Sequence, residues 1–591
     1  MANSPGKNSD RILSYTVYSN GKNVGDMFRL SYVFVRVGLN RIGRANLKFD
    51  AGDITTQTFD ELDSDMFKPG ASIQLDVGDV DAEKTLFVGT VVTLNVQLEA
   101  GSRGQMVVEC RDCAFAATMG RKNRIFEKKK DSEIISEVLS DYGAVEVDAT
   151  TYKHSALVQY YSTDWDFALS RADACGLLVN VLNGKISVKK PKVDAAAVLT
   201  VTYGVDMIDF NGGLSASEQF TEVEAVSWNL KDQAVVSVKS ATPSLNDQGN
   251  IPLSKLKGGD KMLFQTDAPV ESDALQAWVN SQALKIGLAR FRGSFTFVGN
   301  ASAIPGCVIE LAGMGERLNG NVYVGAVEHI VRDNVWVTRV EMGIPPENIT
   351  GEADVKAPAA AGLLPGIGGL HVGKVEKLNE DPGKEQRILV SIPLLNGDKT
   401  TVWARLATLY AANGRGTFFI PEKGDEVVVG FVNEDPGHPV ILGSMYSSAM
   451  IPSYELTAEN YKKAIVTKEK MKVEFDEEKK IITVTTPGNN MIELNDDAKS
   501  VKLKDQNGNE LLLDKNGILL SSAKDIVLKA KSNITVEATS KIALSAKTDV
   551  QIEGLNVKAE AKTGFTAKGN ATAELSASGQ TTVKGGMVMI N

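Results

Sequence analysis

The most regular pattern of apolar and polar positions lies in residues 524–586, where eight octads follow one another and the fourth is one residue short. The third and fifth positions of the octads form two columns, and the residues between the columns are mostly polar or small. Successive strand side chains face opposite ways, so this alternation predicts that each octad is a short strand with a corner. The columns contain Ile526/Leu528, Ile534/Val536, Ile542/Leu544, Val550/Ile552, Val557/Ala559, Phe565/Ala567, Ala573/Leu575 and Thr581/Val583.

A stack of such strands from one chain has a single narrow apolar face with nothing opposite it. Three intertwined chains would bury all three faces around one axis, so the octads predict a homotrimeric β-prism. With one strand spacing of about 4.8 Å per octad, the prism would be roughly 40 Å long. The predicted core residues of the trimer are Ile526, Leu528, Ile534, Val536, Ile542, Leu544, Val550 and Ile552.

Three other structures fit the octads less well. A left-handed β-helix has a six-residue repeat, and a calcium-binding β-roll needs the pattern Gly-Gly-x-Gly-x-Asp, which these residues lack. Low-complexity coil would fit the abundance of Ala, Lys, Ser and Thr, but disordered polar segments do not keep Ile, Val and Leu in register. The β-prism is therefore the favoured interpretation.

The rest of the chain is mostly β in pattern, with three helical stretches. Asp131 is predicted to cap one helix that stops at Gly143, and Asp164 to cap a second that stops at Gly176. A third is predicted from about Asp273 to Ile286. The fold class is therefore mainly β with a small α/β portion.

Composition narrows the functional classes. The chain has 591 residues, enough for several domains, and a net charge of -10 without a long block of like charge, which disfavours nonspecific nucleic-acid binding. No apolar run is long enough for a membrane span. Residues 1–10 are polar, so we expect synthesis in the cytoplasm without a signal peptide.

Candidate chemistry is sparse. Cys110 and Cys113 have metal-type spacing, but four cysteines and four histidines in all favour free thiols and no metal. The run from Gly368 through Lys374 to Val375 lacks the Ser or Thr that a P-loop needs for Mg²⁺, and it leads into a strand pattern rather than a helix. No HExxH or GxSxG motif occurs, so we predict no catalytic residue and no cofactor.

Two further features were considered as sites. Asp425 and Glu426 are adjacent carboxylates, but neighbouring strand residues point apart, so they are predicted to begin a strand rather than to act as acid and base. The aromatic residues of the same module are interpreted as core and turn residues rather than as a stacking platform for nucleic acid or sugar. These aromatics are Trp403, Tyr410, Phe418 and Phe419.

The runs 402–407, 414–416, 418–427 and 435–443 combine strand and turn residues in a particular order and spacing. In that order and spacing they resemble the oligonucleotide/oligosaccharide-type (OB) barrel of VgrG, the spike protein family of type VI secretion systems and related contractile injection machines. The N-terminal half is similar to the hub part of contractile phage tails, through residues 159–177 and 305–338.

The resemblance implies the following domains. They are 1–115, a first hub-like β-barrel; 116–204, an α/β insert; 205–350, a second hub-like β-barrel with a helix; 351–370, a linker; 371–450, the OB-type barrel; 451–522, a neck; and 523–591, the octad prism. It also implies a non-enzymatic trimeric spike at the tip of the inner tube, which joins tube and baseplate to the puncturing tip, delivers effectors and is ejected from the producing cell. Expected partners are two further copies, a PAAR-repeat tip protein, an Hcp-like inner-tube protein, baseplate proteins and effector cargo. The alternative is a trimeric fibre or adhesin with a β-prism stalk.

The residues after the octads are predicted to dock the tip protein. In the resembling family a small conical PAAR-repeat protein completes the tip. Apolar side chains and unpaired strand edges would provide its docking surface by strand addition. The predicted docking residues are Met587, Val588, Met589, Ile590 and Asn591.

Overall fold

The computed structural model describes residues 3–5, 12–99, 104–256, 258–395, 397 and 399–590. The chain forms two units, Met1–Met445 and Tyr446–Asn591. The fold is mainly β with three α-helices, as predicted.

The first unit contains 28 of the strands and all three α-helices. Its strands are β1 Leu13–Ser19, β2 Lys22–Asn23, β3 Leu30–Gly38, β4 Arg44–Ala51, β5 Ser72–Asp79, β6 Lys84–Gln97, β7 Gly104–Arg111, β8 Lys122–Lys130, β9 Ala144–Val147, β10 Lys153–Ser162, β11 Leu178–Leu182, β12 Lys185–Lys189, β13 Leu199–Thr202, β14 Met207–Leu214, β15 Phe220–Asn229, β16 Ala234–Lys239, β17 Gly259–Thr266, β18 Phe291–Val298, β19 Val308–Ala312, β20 Gly320–Arg332, β21 Val335–Met342, β22 His371–Lys377, β23 Ile388–Ser391, β24 Thr401–Leu406, β25 Ala411–Ala412, β26 Arg415–Gly416, β27 Glu426–Phe431 and β28 Pro439–Ser444. The helices are α1 Asp131–Leu139, α2 Asp164–Ala174 and α3 Ser272–Leu288.

Short 3-10 helices occupy several connections. They are Cys113–Thr118, Ser140–Tyr142, Leu253–Lys255, Ile349–Gly351, Ala359–Gly362, Pro393–Leu395 and Val432–Glu434. The second unit has seven strands, β29 Lys462–Val466, β30 Lys472–Asp476, β31 Ile481–Thr485, β32 Met491–Asn495, β33 Ser500–Lys504, β34 Glu510–Asp514 and β35 Gly517–Ser521.

One 13-stranded sheet joins the two predicted hub-like barrels. Its order is β14-β18-β21-β20-β3-β4-β7-β6-β5-β1-β2, with β19 paired to β20 and β13 paired to β19. The junction is the antiparallel pair β20–β3, in which Val327 lies opposite Val37. Alternate residues of both parts, such as Leu47 and Phe295, enter the same hydrophobic core. Strand pairing therefore makes the two parts one body, while the bounds of the seven predicted domains stay predictions.

The α/β insert packs its helices on smaller sheets. Strands β9, β11 and β12 form one sheet, and β8 and β10 form a two-stranded ribbon. Ile134 and Ile135 of α1 and Leu169 of α2 are buried in one core with Val179 of β11. Helix α3 covers the sheet β16-β15-β17 through Leu275, Val279 and neighbouring apolar residues.

The predicted caps of the first two helices are wrong by one residue. Lys130 precedes α1, and its backbone N–H donates to Glu133 at 2.8 Å. Thr163 caps α2 through its hydroxyl, which accepts from the N–H of Asp166 at 3.0 Å. The C-terminal signal of α2 is confirmed, because Gly176 follows the helix with a left-handed φ of 69°.

The two aspartates predicted as caps instead anchor buried polar networks. The Asp131 carboxylate accepts from Arg171 Nε at 2.7 Å, contacts His154 Nε2 at 2.9 Å and accepts from the Cys175 thiol at 3.3 Å. Burial alone would raise the pKa of Asp131, but Arg171 and His154 outweigh it and lower the pKa below its usual value. The carboxylate therefore stays charged inside the insert.

Asp164 has a second set of donors. Lys122 Nζ and the Tyr142 hydroxyl donate to it at 2.7 Å each, and Gln159 Nε2 donates at 2.9 Å. These bonds connect α2 to β8 and β10. A carboxylate with several strong donors gains more from them than from one backbone N–H, which explains why neither aspartate serves as a cap.

Removing the cation opposite Asp131 should loosen the insert locally. We expect Arg171→Met to cost about 3 kcal/mol because it leaves a buried charge without its partner. Amide hydrogen exchange in α1 and α2, followed by mass spectrometry, should become about a hundredfold faster. Arg29→Met is the matched control, since the Arg29 side chain is 78% exposed and pairs with Asp50 only at 3.5 Å. Equal protection in the two variants would contradict the proposed role of the network.

Candidate oligomerisation and docking surfaces

Residues 371–444 form a closed five-stranded barrel. Its strand order is β22-β23-β24-β28-β27, and β24 pairs with β28 in parallel while the other pairs are antiparallel. Alternate residues point inward and form an apolar core. The fully buried members of this core include Val375, Val390, Ala404, Val427 and Ile441.

The barrel uses its candidate catalytic residues structurally. Lys374 lies within β22, opposite Ser391 on one side and Glu426 on the other, so the glycine-rich run leads into a strand as predicted. The Asp425 carboxylate accepts from the Glu422 N–H at 2.8 Å and shapes the turn before β27. Glu426 begins that strand. Asp425 and Glu426 therefore have the turn and strand roles that the sequence predicted.

The barrel aromatics are predicted to be core or turn residues, and three of the four lie beside the turn of a hairpin and outside the core. Tyr410, Phe418 and Phe419 flank the small hairpin of β25 and β26, and they are 52%, 87% and 64% exposed. Leu409 beside them is also exposed. They are not core residues, because the hairpin extends outside the five strands whose inward positions form the core.

The neck is an antiparallel sheet of seven strands in sequence order, β29 to β35. Its register places an apolar residue opposite an apolar residue from one strand to the next, in two adjacent rows on one face. The first row is Ile465, Val473, Val484, Ile492, Leu503, Leu511 and Leu520. The second row is Phe475, Ile482, Leu494, Val501, Leu513 and Ile518.

We call these two rows the neck face. Most of its side chains remain substantially accessible; Ile492, for example, is 43% exposed. An antiparallel sheet with one apolar face normally buries that face against another layer of structure. The described residues of the second unit form no such layer. The neck face is therefore an unpartnered apolar surface.

The opposite face of the neck holds a cluster of charges. Glu474 accepts from Lys462 Nζ at 2.7 Å, from Lys472 Nζ at 2.5 Å and from the Tyr454 hydroxyl at 2.6 Å. Lys462 also donates to Asp476 at 2.8 Å. Burial raises the pKa of Glu474, but the bonds from Lys462, Lys472 and Tyr454 outweigh it and lower the pKa to about 2.

The octads are extended segments separated by bends that recur at the predicted junctions. Paired bends occur at 531–532, 539–540, 547–548, 562–563, 570–571 and 578–579. A single bend at Leu555 follows the short octad. The corner predicted for each octad is therefore present, at its boundary.

Among the described residues, the octad columns have no partner. Every residue from 523 to 590 is exposed, and none of them belongs to a strand pair. Ile542 is 51% and Leu544 75% exposed. The apolar columns and the backbone hydrogen-bonding groups of these residues are thus both available to other chains.

The predicted tip residues are also accessible. Met587, Met589 and Ile590 are 80%, 79% and 91% exposed, and Val588 is 49% exposed. Asn591 lies outside the described residues.

The remaining candidate features are the cysteines, groups of metal ligands and membrane-spanning helices. The four cysteines are free, and burial raises the pKa of the Cys110 thiol to about 12. Among the described residues, no three or more His, Cys, Asp or Glu side chains gather in a group able to hold a metal. None of the described helices has the length and hydropathy of a membrane-spanning helix.

Comparison with known proteins assigns the N-terminal part. The model of the family described as Alg8 N-terminal domain matches residues 9–333, more than half of the chain. The chain belongs to this family. Its Alg8 N-terminal domain holds strands β1 to β20 and all three helices.

The barrel beyond the Alg8 N-terminal domain matches a second family. The model of the type VI secretion system/phage-baseplate injector OB domain covers residues 371–446 and confirms the OB-type barrel. The type VI secretion system spike protein VgrG4b of Pseudomonas aeruginosa is 43% identical over 61 residues, which are 10% of this chain and 8% of that protein. The spike protein VgrG3 of Vibrio cholerae is 36% identical over 61 residues, 10% of this chain and 6% of that protein. The predicted resemblance to VgrG spike proteins is confirmed, although each match spans less than a tenth of the relative.

Solved structures are similar at lower identity. The 43 kDa tail protein of prophage MuSo2 from Shewanella oneidensis has a TM-score of 0.44 and 12% identity, covering 56% of this chain and 98% of that one. The Francisella PdpA-VgrG complex, half-lidded, has a TM-score of 0.37 and 11% identity, covering 87% of this chain and 88% of that one. Both scores are low, and the fold rests on the strand topology described above.

The neck face was missed by sequence reasoning, although a signal for it was present. Each neck strand alternates in the manner of Ile492 and Leu494, and the strands recur about every ten residues. Aligning the strands on their turns would have placed these residues in rows. The exposed aromatics of the barrel had no such signal, because a short hairpin carries no period.

Acid should weaken the neck through Glu474. Because the pKa of this carboxyl falls from 4.5 to about 2 in the folded chain, its stabilising effect is present above about pH 4.5 and is lost as the pH falls towards 2. Hydrogen exchange of β29 to β31 should therefore rise towards low pH more in the native chain than in Glu474→Gln, with both compared at the same pH. Glu477→Gln is the control, because Glu477 is 56% exposed and pairs only with Lys463 at the surface. If amide exchange at pH 6 were equally fast in the native chain and in Glu474→Gln, the Glu474 carboxylate would contribute no stability to the neck.

Proposed function

We propose that this chain forms the trimeric spike at the tip of the inner tube of a contractile injection machine. The observation that carries the proposal is the apolar surface of the second unit, which extends along the neck face and the octad columns without a partner in the chain. The OB-domain match and the named VgrG relatives support the same assignment.

The energetic case for assembly rests on the octad columns. Burying what remains exposed of a Leu, Ile or Val side chain contributes about 1 kcal/mol, and each chain presents eight such predicted core residues. Association costs several kcal/mol in lost freedom, which this burial offsets when it is summed over the interface. The octad backbone gains as well, because strand pairing between chains satisfies its N–H and C=O groups.

Three chains fit the octads better than two. Each octad supplies one short extended face and then bends, so a closed cross-section needs several such faces around an axis. Three equal faces make a prism with no exposed apolar edge, and closure of this kind removes the unpaired strands that would otherwise promote aggregation.

We assign the chain no catalytic role. Lys374, Asp425 and Glu426 are occupied in strand and turn contacts, and the candidate thiol Cys110 is buried with a raised pKa. The proposed task is mechanical, with the inner-tube protein and baseplate proteins as partners of the hub and effectors as cargo. Synthesis in the cytoplasm and ejection by the machine follow from that task. Peptidoglycan hydrolysis by the purified chain that is lost in Asp425→Asn would contradict this assignment.

The trimer can be tested by light scattering. We expect a mass of about three times 63.4 kDa for the native chain. Ile542→Asp should reduce it towards the monomer, since three carboxylates would meet near the axis at several kcal/mol each. Lys541→Asp is the matched control at the neighbouring polar position and should leave the trimer intact. A stable native monomer would refute the proposed architecture.

The neck face provides an independent test of the same assembly. Ile492→Asp places a charge on the neck face and should weaken the trimer, whereas Ser500→Asp places it on the opposite face, across from the neutral Asn495, and should not. Equal masses for these two variants would show that the neck face stays open in the assembled protein.

We further propose that residues 587–591 dock a PAAR-repeat tip protein. The four described side chains are apolar and exposed, and methionine thioethers adapt to irregular surfaces. Deleting residues 587–591 should abolish co-purification of the tip protein while light scattering still reports a trimer. Unchanged affinity of the truncated spike for the tip protein would place the docking site elsewhere.

A further inference from the structure

The ribbon of β8 and β10 carries an unusual concentration of positive charge for a chain of net charge -10. Between Arg121 and Lys130, six of ten residues are Lys or Arg, and Glu127 is the one acid. Strand β10 adds Lys153 at the start of its pairing with β8. This concentration is unrelated to the octads and the neck face.

Part of this charge is neutralised within the fold and part is not. Lys122 and Arg124 pair with Asp164, and Lys129 pairs with Glu137. Lys128 and Lys153 are exposed and form none of the ion pairs found among the described residues. Lys153 also lies directly opposite Lys130 in the strand register. Like charges in such opposite positions destabilise the strand pair. An anionic group between the two strands' ends would relieve this repulsion.

The ribbon has one covered face and one open face. Phe126 and Gln159 are buried against the helices of the insert. On the other face Ile125 lies opposite Val158, and these side chains are 68% and 56% exposed. Tyr160 follows on the same face and is 68% exposed. The open face is therefore apolar in its centre, with the exposed Glu127 beside it, whereas Lys153 falls in the same alternation as Gln159 and lies exposed at the end of β10.

The ribbon also has a free strand edge. It consists of two strands only, so each strand lacks a neighbour on its outer side. Lys128 interrupts β8 with a left-handed φ of 52°, whereas β10 has no left-handed residue from Lys153 to Tyr160. The unbroken edge therefore belongs to β10.

The end of this edge is held in a defined position. Tyr161 has a left-handed φ of 39°, which is unfavourable for a residue with a side chain. Its N–H donates to Asn123 Oδ1 at 2.8 Å, and its carbonyl accepts from Arg121 at 2.9 Å. The Arg121 guanidinium lies 5.8 Å from the Tyr161 ring centroid. These contacts fix the bulge that ends the regular pairing beside the exposed Tyr160.

We propose that the β10 edge of this ribbon docks an extended acidic segment of a partner protein by strand addition. The backbone of the segment would pair with β10 and its apolar side chains would cover Val158 and Tyr160. Its carboxylates, which alternate to the other face, would lie near Lys153 at the end of β10 and within the positive field of Lys128 and Lys130. Charge complementarity selects an acidic partner, because the ribbon is basic in an otherwise acidic chain.

The test uses the full chain and fluorescence anisotropy of labelled synthetic peptides. A peptide of alternating Glu and Val should bind, and binding should weaken when salt rises from about 50 to about 500 mM. The same peptide with Lys for Glu should not bind. A Glu-Val peptide N-methylated at alternate residues keeps its charges but loses backbone donors, so it should bind at least about tenfold more weakly. Equal binding of the methylated peptide would rule out strand addition.

Variants locate the site. The double variant Lys128→Glu/Lys153→Glu should weaken binding of the Glu-Val peptide by at least about tenfold. Lys541→Glu/Lys547→Glu makes the same change of charge within the octads and should bind as the native chain does. If both double variants lost the same peptide affinity, the peptide would be attracted nonspecifically by positive charge. Unchanged peptide binding together with a changed mass of the ribbon variant in light scattering would make the ribbon an interface between copies and overturn the proposal.

Discussion

The second unit depends on apolar surface that its own chain leaves open. In the neck, strand pairing satisfies the backbone, but the rows that contain Ile492 and Leu494 have no layer above them. In the octads even the backbone is unpaired, while Ile542 and its column neighbours stay exposed. The described residues complete neither hydrogen-bond satisfaction nor apolar burial here, and the proposed intertwined copies would supply both at once.

The first unit buries its apolar surface and pairs its strands within one chain. Its 13-stranded sheet shares a single core, the OB barrel closes on itself, and the insert buries its helices against small sheets. Charged groups reinforce this packing where elements meet, as in the buried pair of Asp173 on α2 and Lys285 on α3, whose atoms lie 2.7 Å apart. The surfaces that this unit leaves open include the β25–β26 hairpin and the β8–β10 ribbon.

Sequence reasoning succeeded where a pattern repeats over short distances. The octad corners, the three helices and the strand role of Lys374 follow from periods or turn signals within some ten residues, and the OB barrel follows from the family resemblance of its motifs. The sequence did not decide which of the predicted core and turn roles Phe418 and Phe419 have, since alternation shows that a residue faces one side without showing whether that side is covered. The helix caps failed because Lys122, Tyr142 and Arg171, which compete for the two aspartates, are distant in sequence or on other elements.

By itself the sequence determined the mainly β class, the eight-residue repeat with its two columns, and the family resemblance carried by the barrel motifs. Only the tertiary structure decided that β20 pairs with β3, that the neck residues align into two rows, and that Asp131 and Asp164 are buried ion partners. The physical reason is that side-chain alternation specifies the face of a strand but not its neighbour. Neighbours are chosen by long-range packing, which a single sequence does not display.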